Sequence, residues 1–276
     1  MIKARIYFLL TLVVTLFSQC EITDKNATDM PDDSLFIEKI DSIIVPEKVV
    51  KIEKVEPIEI CEWNTYLRSQ NLVNIQAVDS SLMVELKYSS EDNFMHKDMY
   101  DCLDSCFLQA DVAEKLSKAQ QFLKEINPRL SLLVYDGVRP RSVQQYMWDI
   151  LDMPINEKVK FVSNPKNGSL HNFGAAVDIT IYNLDSLNPL DMGAPYDHIG
   201  IEAWPIKERL LLKNGVLNEQ QIANRKLLRK VMTKAKFFNI QTEWWHFNSC
   251  YRKKAYQLYS IVEGDTNLNS ELRIEN

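Results

Sequence analysis

Ser169-Leu170-His171-Asn172-Phe173-Gly174-Ala175-Ala176-Val177-Asp178-Ile179-Thr180-Ile181 is the stretch whose reading decides the fold. Its second half alternates with period two. Val177, Ile179 and Ile181 fall on one face and Asp178 and Thr180 on the other, which predicts a strand over 176–181 lying on an apolar layer. Asp178 then points away from that layer, where a ligating carboxylate belongs. Gly168 and Gly174 bracket His171 and permit sharp backbone turns on both sides of it.

A second segment, Glu243-Trp244-Trp245-His246, completes a constellation. The chain has 4 histidines, and each of these segments holds one of them with a carboxylate close by. Two imidazoles and one carboxylate form a common three-ligand set for a catalytic zinc, with one position left open for water. His171, Asp178 and His246 fill that set, and the imidazoles favour Zn²⁺, one per chain, over magnesium. A carboxylate that is not a ligand must then take the proton from the water, and Glu243 fits that role. Glu243 and His246 are spaced i, i+3, on one face of a helix but on opposite faces of a regular strand. Their aromatic neighbours favour a strand, so a bulge or a strand-to-turn break is expected between them.

Outward from this centre, residues 83–88 and 130–135 read as strands. Asp111, with Glu114 three positions on, reads as the N-cap of a helix carried by Val112, Leu116, Ala119, Leu123 and Ile126 and stopped at Asn127-Pro128. Asp136-Gly137 turns the chain, and Arg139 follows just past the strand's end, where a rigid scaffold presents side chains. Residues 142–151, 205–213, 218–236 and 251–262 read as helices, the third amphipathic through Ile222, Leu227, Leu228, Val231 and Met232. Strands and helices mix without βαβ regularity, and glycine fingerprints of parallel sheets are absent, which gives α+β.

S-x-H-x-x-G-x-A-x-D and E-x-W-H resemble the zinc signature of the D-alanyl-D-alanine dipeptidases, the family that includes the vancomycin-resistance dipeptidase. The resemblance runs from Leu86-Lys87-Tyr88 through Asp92-Asn93-Phe94, Asp136-Gly137-Val138-Arg139-Pro140, Asp191-Met192-Gly193 and Asn224-Arg225 to Phe247, in the family's order. It implies the fold shared by zinc D,D-peptidases and the hedgehog signalling domain, a central antiparallel sheet flanked by helices. It also implies that Arg139 stabilises the developing oxyanion, that Asp197 and Tyr88 hold a substrate's ammonium end, and that Ser169 holds its carboxylate end. His96 and His198 fall outside the matched metal positions.

At 276 residues and 46% hydrophobic, the chain holds one good-sized domain with extensions. A net charge of −6 without a long basic run argues against nucleic acid as a partner. Met1-Ile2-Lys3-Ala4-Arg5 is a short positive start, and residues 6–17 form an apolar run suited to a signal peptide and too short to span a membrane comfortably. Leu16-Phe17-Ser18-Gln19-Cys20 resembles a bacterial lipobox, although Gln19 stands where a small residue is usual. The organisation expected is a signal peptide over 1–19, a lipid-anchored tether over 20–62, the catalytic domain over 63–262 and a tail over 263–276. Two alternatives stay open: a plain cleaved signal with Cys20 incidental, and a strand pair using Val49-Val50-Lys51-Ile52-Glu53. Export to the periplasm or cell envelope follows in either case, with membrane contact only through the lipid. Cys61, Cys102, Cys106 and Cys250 are compatible with disulfides of unreadable connectivity. Cys102 and Cys106 are near enough in sequence to pair locally, and all four can equally be free.

The function expected is zinc-dependent hydrolysis of D-Ala-D-Ala. Two rivals share the metal set: a D,D-carboxypeptidase trimming longer peptidoglycan stems, and a non-catalytic zinc-stabilised wall-binding module, which would need neither Glu243 nor Arg139.

Overall fold

A computed structural model describes residues 61–159 and 161–264. The chain divides into two compact units, Met1–Glu56 and Pro57–Asn276, and every described residue belongs to the second. The expected signal over 1–19, Cys20, all but the last two residues of the tether and the end of the tail lie outside the described residues. No helix among the described residues is long and apolar enough to cross a membrane.

The chain opens with α1 (Glu62–Ser69), β1 (Val73–Asn74), α2 (Ile75–Val78), β2 (Met83–Val84) and β3 (Phe107–Leu108), then α3 (Ala110–Ile126) and β4 (Leu130–Asp136). After α4 (Arg141–Ile150) and α5 (Ile155–Lys158) come β5 (Ala176–Asn183) and β6 (Asn188–Pro189). The last elements are α6 (Glu208–Lys213), α7 (Glu219–Lys234), β7 (Phe238–Asn239), β8 (His246–Asn248) and α8 (Arg252–Leu258). The main sheet runs β2-β4-β5-β8-β7, with β6 hairpinned onto β5, and β1 and β3 form a separate antiparallel pair. All pairings in the main sheet are antiparallel except the short edge pair of β2 with β4.

β5 is the spine. Ile179 and Ile181 stand opposite Val134 and Leu132 of β4, and Val177 stands opposite Phe247 of β8, all buried. α3 and α7 pack on each other and reach β4 and β5. Their buried residues, Val112, Leu116, Ala119 and Leu123 on one and Leu228, Val231 and Met232 on the other, recur at the spacing that gives a helix one apolar stripe. α7 starts with a reciprocal capping box, Asn218 Oδ1 accepting from Gln221 N and Gln221 Oε1 from Asn218 N, each at 2.9 Å.

Several expected element ends move, each for a local reason. α3 begins ahead of Asp111, because the Gln109 backbone N–H donates to Gly174 O and its side chain to Phe173 O, fixing the entry; Asp111 Oδ1 and Oδ2 instead accept from the Tyr259 hydroxyl. The strand expected over 83–88 pairs only at Met83 and Val84 before the chain turns to bury Tyr88. The helix expected over 251–262 ends at Leu258, because Val262 bonds to Asn172 O through its N–H and to Arg141 N through its carbonyl. Cys102 does not pair with Cys106. It is bonded to Cys61 across 41 residues, with Cα atoms 5.5 Å apart, while Cys106 and Cys250 are free and buried.

Candidate metal centre and active site

β5 and β8 bring the first two ligands together through their register, in which Asp178 stands opposite His246. His171 arrives from a single 3₁₀ turn, His171–Phe173, closed by Gly174 at φ 62°, and Gly168 on its other side has φ 65°. Only glycine takes these left-handed conformations without steric cost. The His171 Nε2, His246 Nδ1 and Asp178 Oδ1 atoms form a nearly equilateral triangle with edges of 3.1, 3.0 and 3.4 Å. Zinc bonds of about 2.0–2.1 Å in tetrahedral geometry separate ligand atoms by roughly 3.3–3.4 Å, so this donor set fits one such ion.

Bonds behind the ligands decide which ring nitrogen faces the ion. His171 Nδ1 lies 2.7 Å from the Gly137 carbonyl, which can only accept, so Nδ1 carries the proton and Nε2 is the nitrogen left free to bind a metal. His246 has the opposite arrangement: Nε2 donates to Asn248 Oδ1 at 2.9 Å and Nδ1 faces inward. The far oxygen of Asp178 accepts from the Tyr196 hydroxyl at 3.1 Å. Burial alone would raise the Asp178 pKa, but the charges and hydrogen bonds of His171 and His246 outweigh it and hold the carboxylate far below its usual range.

Glu243 sits in an irregular stretch immediately before β8, the break expected there, with Oε2 3.9 Å from His246 Nδ1. Its side chain keeps 36% of its exposure. Desolvation raises its pKa, the His246 charge opposes this and the Asp178 charge adds to it, for a net rise above 4.5. Arg139 is buried against Asp136, whose Oδ2 accepts from Nε at 3.0 Å and Nη2 at 2.5 Å, and Nη2 lies 3.8 Å from Asp178. Its guanidinium is 4.7 Å from the centre of the Tyr88 ring, so the charge has an aromatic face as well as a carboxylate beside it. Burial pulls the Arg139 pKa down, and the Asp136 charge together with Tyr88, Tyr100 and Tyr196 more than restores it.

Tyr88 and Asp197 are brought together: the buried phenol lies near enough to favour the ionised carboxylate, whose Oδ2 is buried without a hydrogen-bond partner. Burial, and then the Asp178 charge, push the Asp197 pKa well up. Ser169 behaves differently. Its hydroxyl donates to Gln144 Oε1 at 2.9 Å, and no bond among the described residues joins it directly to the three ligands. His198 pairs with Glu202 at 3.0 Å, and His96 and His198 line, with Asp197, an open cleft of about 540 Å³.

Residues 68–261 match the Peptidase_M15 model, described as D-ala-D-ala dipeptidase. The chain belongs to the D-Ala-D-Ala dipeptidase family. A D-alanyl-D-alanine dipeptidase of Escherichia coli is 31% identical over 176 residues, covering 64% of this chain and 83% of that one. Its counterpart in Synechocystis is 30% identical over 179 residues, covering 54% and 72%. Among solved structures, a vancomycin-resistance D,D-pentapeptidase in complex with Zn(II) shares 15% identity over 56% of this chain and 80% of that one, with a TM-score of 0.32, too distant to inform the site.

Sequence reasoning missed the residues that hold this candidate site in shape. Asp136 accepts from Arg139, from the Tyr100 hydroxyl at 2.7 Å and from Gly137 N at 2.9 Å, and its Oδ2 lies 3.6 Å from His171 Nδ1. The quoted D-G-x-R-P segment already contained it, read there only as a turn. Asn248 follows His246 at the two-residue spacing that puts both on one strand face, a signal that was available. Tyr196 had none, because its loop reaches Asp178 only through the tertiary fold.

Proposed function

We propose that this chain is a zinc-dependent dipeptidase that hydrolyses D-Ala-D-Ala. The observation that carries the reading is the donor triangle of His171, Asp178 and His246, with a non-ligand carboxylate, Glu243, 3.9 Å from one ligand atom. Bound there, zinc would supply Lewis acidity, polarising the scissile carbonyl and lowering the pKa of a water towards neutrality.

The chain's own residues do the rest. Glu243 accepts a proton as water oxygen bonds to the carbonyl carbon, then delivers it to the leaving amine nitrogen as the C–N bond breaks. Its raised pKa makes it a stronger base than an ordinary glutamate. Arg139, fixed by Asp136, places permanent positive charge where the oxyanion develops, and stabilises the transition state more than the ground state. At the substrate's ammonium end, Asp197 Oδ2 gains the partner it lacks, with the buried Tyr88 beside the carboxylate. Ser169 would serve the carboxylate end by turning its hydroxyl away from Gln144.

Release of free D-alanine by the zinc-loaded protein tests this, with L-Ala-L-Ala and a D-Ala-D-Ala-terminated pentapeptide alongside. Cleavage of the D,D-dipeptide alone supports the dipeptidase. Rapid cleavage of the pentapeptide would favour the D,D-carboxypeptidase reading, for which the cleft of about 540 Å³ at Asp197 offers room. No turnover with zinc bound would favour a wall-binding module.

The positive start, the apolar run over 6–17 and Cys20 support export and lipid anchoring, with action on dipeptide released from cell-wall material. Cys20→Ser should then move the protein from the membrane to the soluble fraction; unchanged partition would leave a plain cleaved signal.

A further inference from the structure

Asn224 and Arg225 form a quoted motif that this chemistry leaves without a role. Arg225 is 1% exposed. A buried guanidinium usually meets a carboxylate, yet here the short bonds go to backbone. Nε donates to the Met192 carbonyl at 2.6 Å and Nη2 to the Glu202 carbonyl at 2.8 Å, while Glu208 stands back at 3.6 Å from Nη1. The two carbonyls open and close the loop over 192–202. Beside it, Asn224 Nδ2 donates to Asp191 O at 2.8 Å and Gln221 Nε2 to Asp191 Oδ2 at 2.8 Å. Gly193, at φ 77°, lies so close to Leu217 that an added Cβ would meet it at 2.3 Å. From the other side, Trp244 Nε1 donates to Ala194 O at 3.0 Å.

The loop held this way carries Tyr196 and Asp197. Asp197 has φ 58°, a left-handed conformation that aspartate tolerates better than most L residues. Its buried Oδ2 has no hydrogen-bond partner, so the backbone of the loop is what carries that oxygen to its place.

We propose that Arg225, with Asn224 beside it, is a positioning residue for the substrate's ammonium group: it clasps both ends of the 192–202 loop and so fixes the direction of Asp197 Oδ2. This rests on the dipeptidase reading, which gives Asp197 that ligand. Arg225→Lys keeps the charge and loses the two-pronged bond. Asn224→Ala removes the Asp191 contact, together with a bond accepted from Gln220 Nε2 within the same helix, and serves if the lysine variant fails to fold.

The test is steady-state kinetics of the zinc-loaded full chain on D-Ala-D-Ala and on its N-acetyl derivative, with zinc content measured in parallel. Calorimetric binding of D-Ala-D-Ala is measured on a Glu243→Gln background. Arg225→Lys should raise KM for D-Ala-D-Ala about tenfold with kcat within about threefold, and lower the preference for the free amine by about the same factor. Zinc content should not change, and Asn224→Ala should move KM the same way by less. A fall in kcat at constant KM, equal losses on both substrates, or loss of zinc overturns the clasp. Absence of turnover in the unaltered chain would sink the dipeptidase reading instead. Calorimetry then decides the clasp alone: about tenfold weaker binding in Arg225→Lys supports it, and equal binding or none overturns it.

Discussion

His171 and His246 reach the same point with different ring nitrogens, Nε2 of one standing 3.1 Å from Nδ1 of the other. The choice is made behind each ring, by the Gly137 carbonyl for His171 and by Asn248 Oδ1 for His246. The Gly137 contact is backbone and cannot be deleted by mutation, whereas the Asn248 contact can. Asn248→Ala should weaken zinc binding about 10–100-fold by freeing the His246 tautomer. Chelator competition reads this directly, and an affinity within twofold of the unaltered protein would mean that the ring is held by other means.

Metal loading should depend on pH, in a direction set by His246. Without metal, burial would lower its pKa, but the hydrogen bond and charge of Asp178 overcome this and raise it to about 9. Zinc needs the neutral ring, so uptake must expel a proton throughout the neutral range. Apparent zinc affinity should therefore climb by about tenfold per pH unit up to roughly pH 9 and flatten above it. Zinc titrations of the metal-free protein at pH 6, 7 and 8 give the slope. A flat profile would mean that the ring is already neutral.

Glu243→Gln preserves shape and removes the base. Zinc content should be unchanged and kcat should fall by about 10²–10⁴. In the unaltered enzyme, kcat/KM should decline as pH falls through the Glu243 pKa, because the protonated carboxyl cannot accept from water. Desolvation lifts that pKa above 4.5, so the acid limb should lie higher than for an ordinary glutamate. If Glu243→Gln lost metal together with activity, the residue would be a ligand and the assignment of a base would fail.

How much of this was legible depended on how local each signal was. The period-two run over 176–181 is a property of neighbouring residues, and it gave both the strand and the outward face of Asp178. The buried stripe of α3 was equally local, and only its start was misread, because Gln109 is fixed by bonds to Phe173 and Gly174, distant in sequence. Tyr196 at Asp178 and Arg225 on the 192–202 loop are contacts between separate elements, for which spacing within one segment carries no information. The Cys61–Cys102 bond is of the same kind: proximity in sequence favoured Cys106, and the chain path favoured Cys61.

That bond closes the segment from α1 to the loop before β3, much of which has little regular structure. Its removal by Cys61→Ser with Cys102→Ser should destabilise the domain by about 2–4 kcal/mol, chiefly by releasing the unfolded chain. A thermal melt with and without reductant should show the same drop. Cys106 and Cys250, both buried, should resist alkylation until the protein unfolds. A melting temperature insensitive to reductant would mean that the pair is not formed in solution.

Arg139 is tied to Asp136 by two bonds and stands 3.8 Å from Asp178, so two roles compete for it. As a structural partner it would neutralise a carboxylate with no exposure, and its loss would be felt mainly in stability. As an oxyanion donor its loss would be felt in kcat. The geometry accommodates both, because Asp136 engages Nε and Nη2 while Nη1 carries no hydrogen bond among the described residues. Arg139→Lys keeps the charge and gives up the fixed fork. It should lower kcat about 10²–10³-fold with KM changed by less than about threefold. Asp136→Asn should lower kcat in the same direction by less, since the arginine stays but is no longer aimed by charge. Unfolding midpoints measured beside the kinetics separate the roles: a large drop in stability with kcat intact would make Arg139 a structural residue, and the oxyanion would then have to be stabilised by another group.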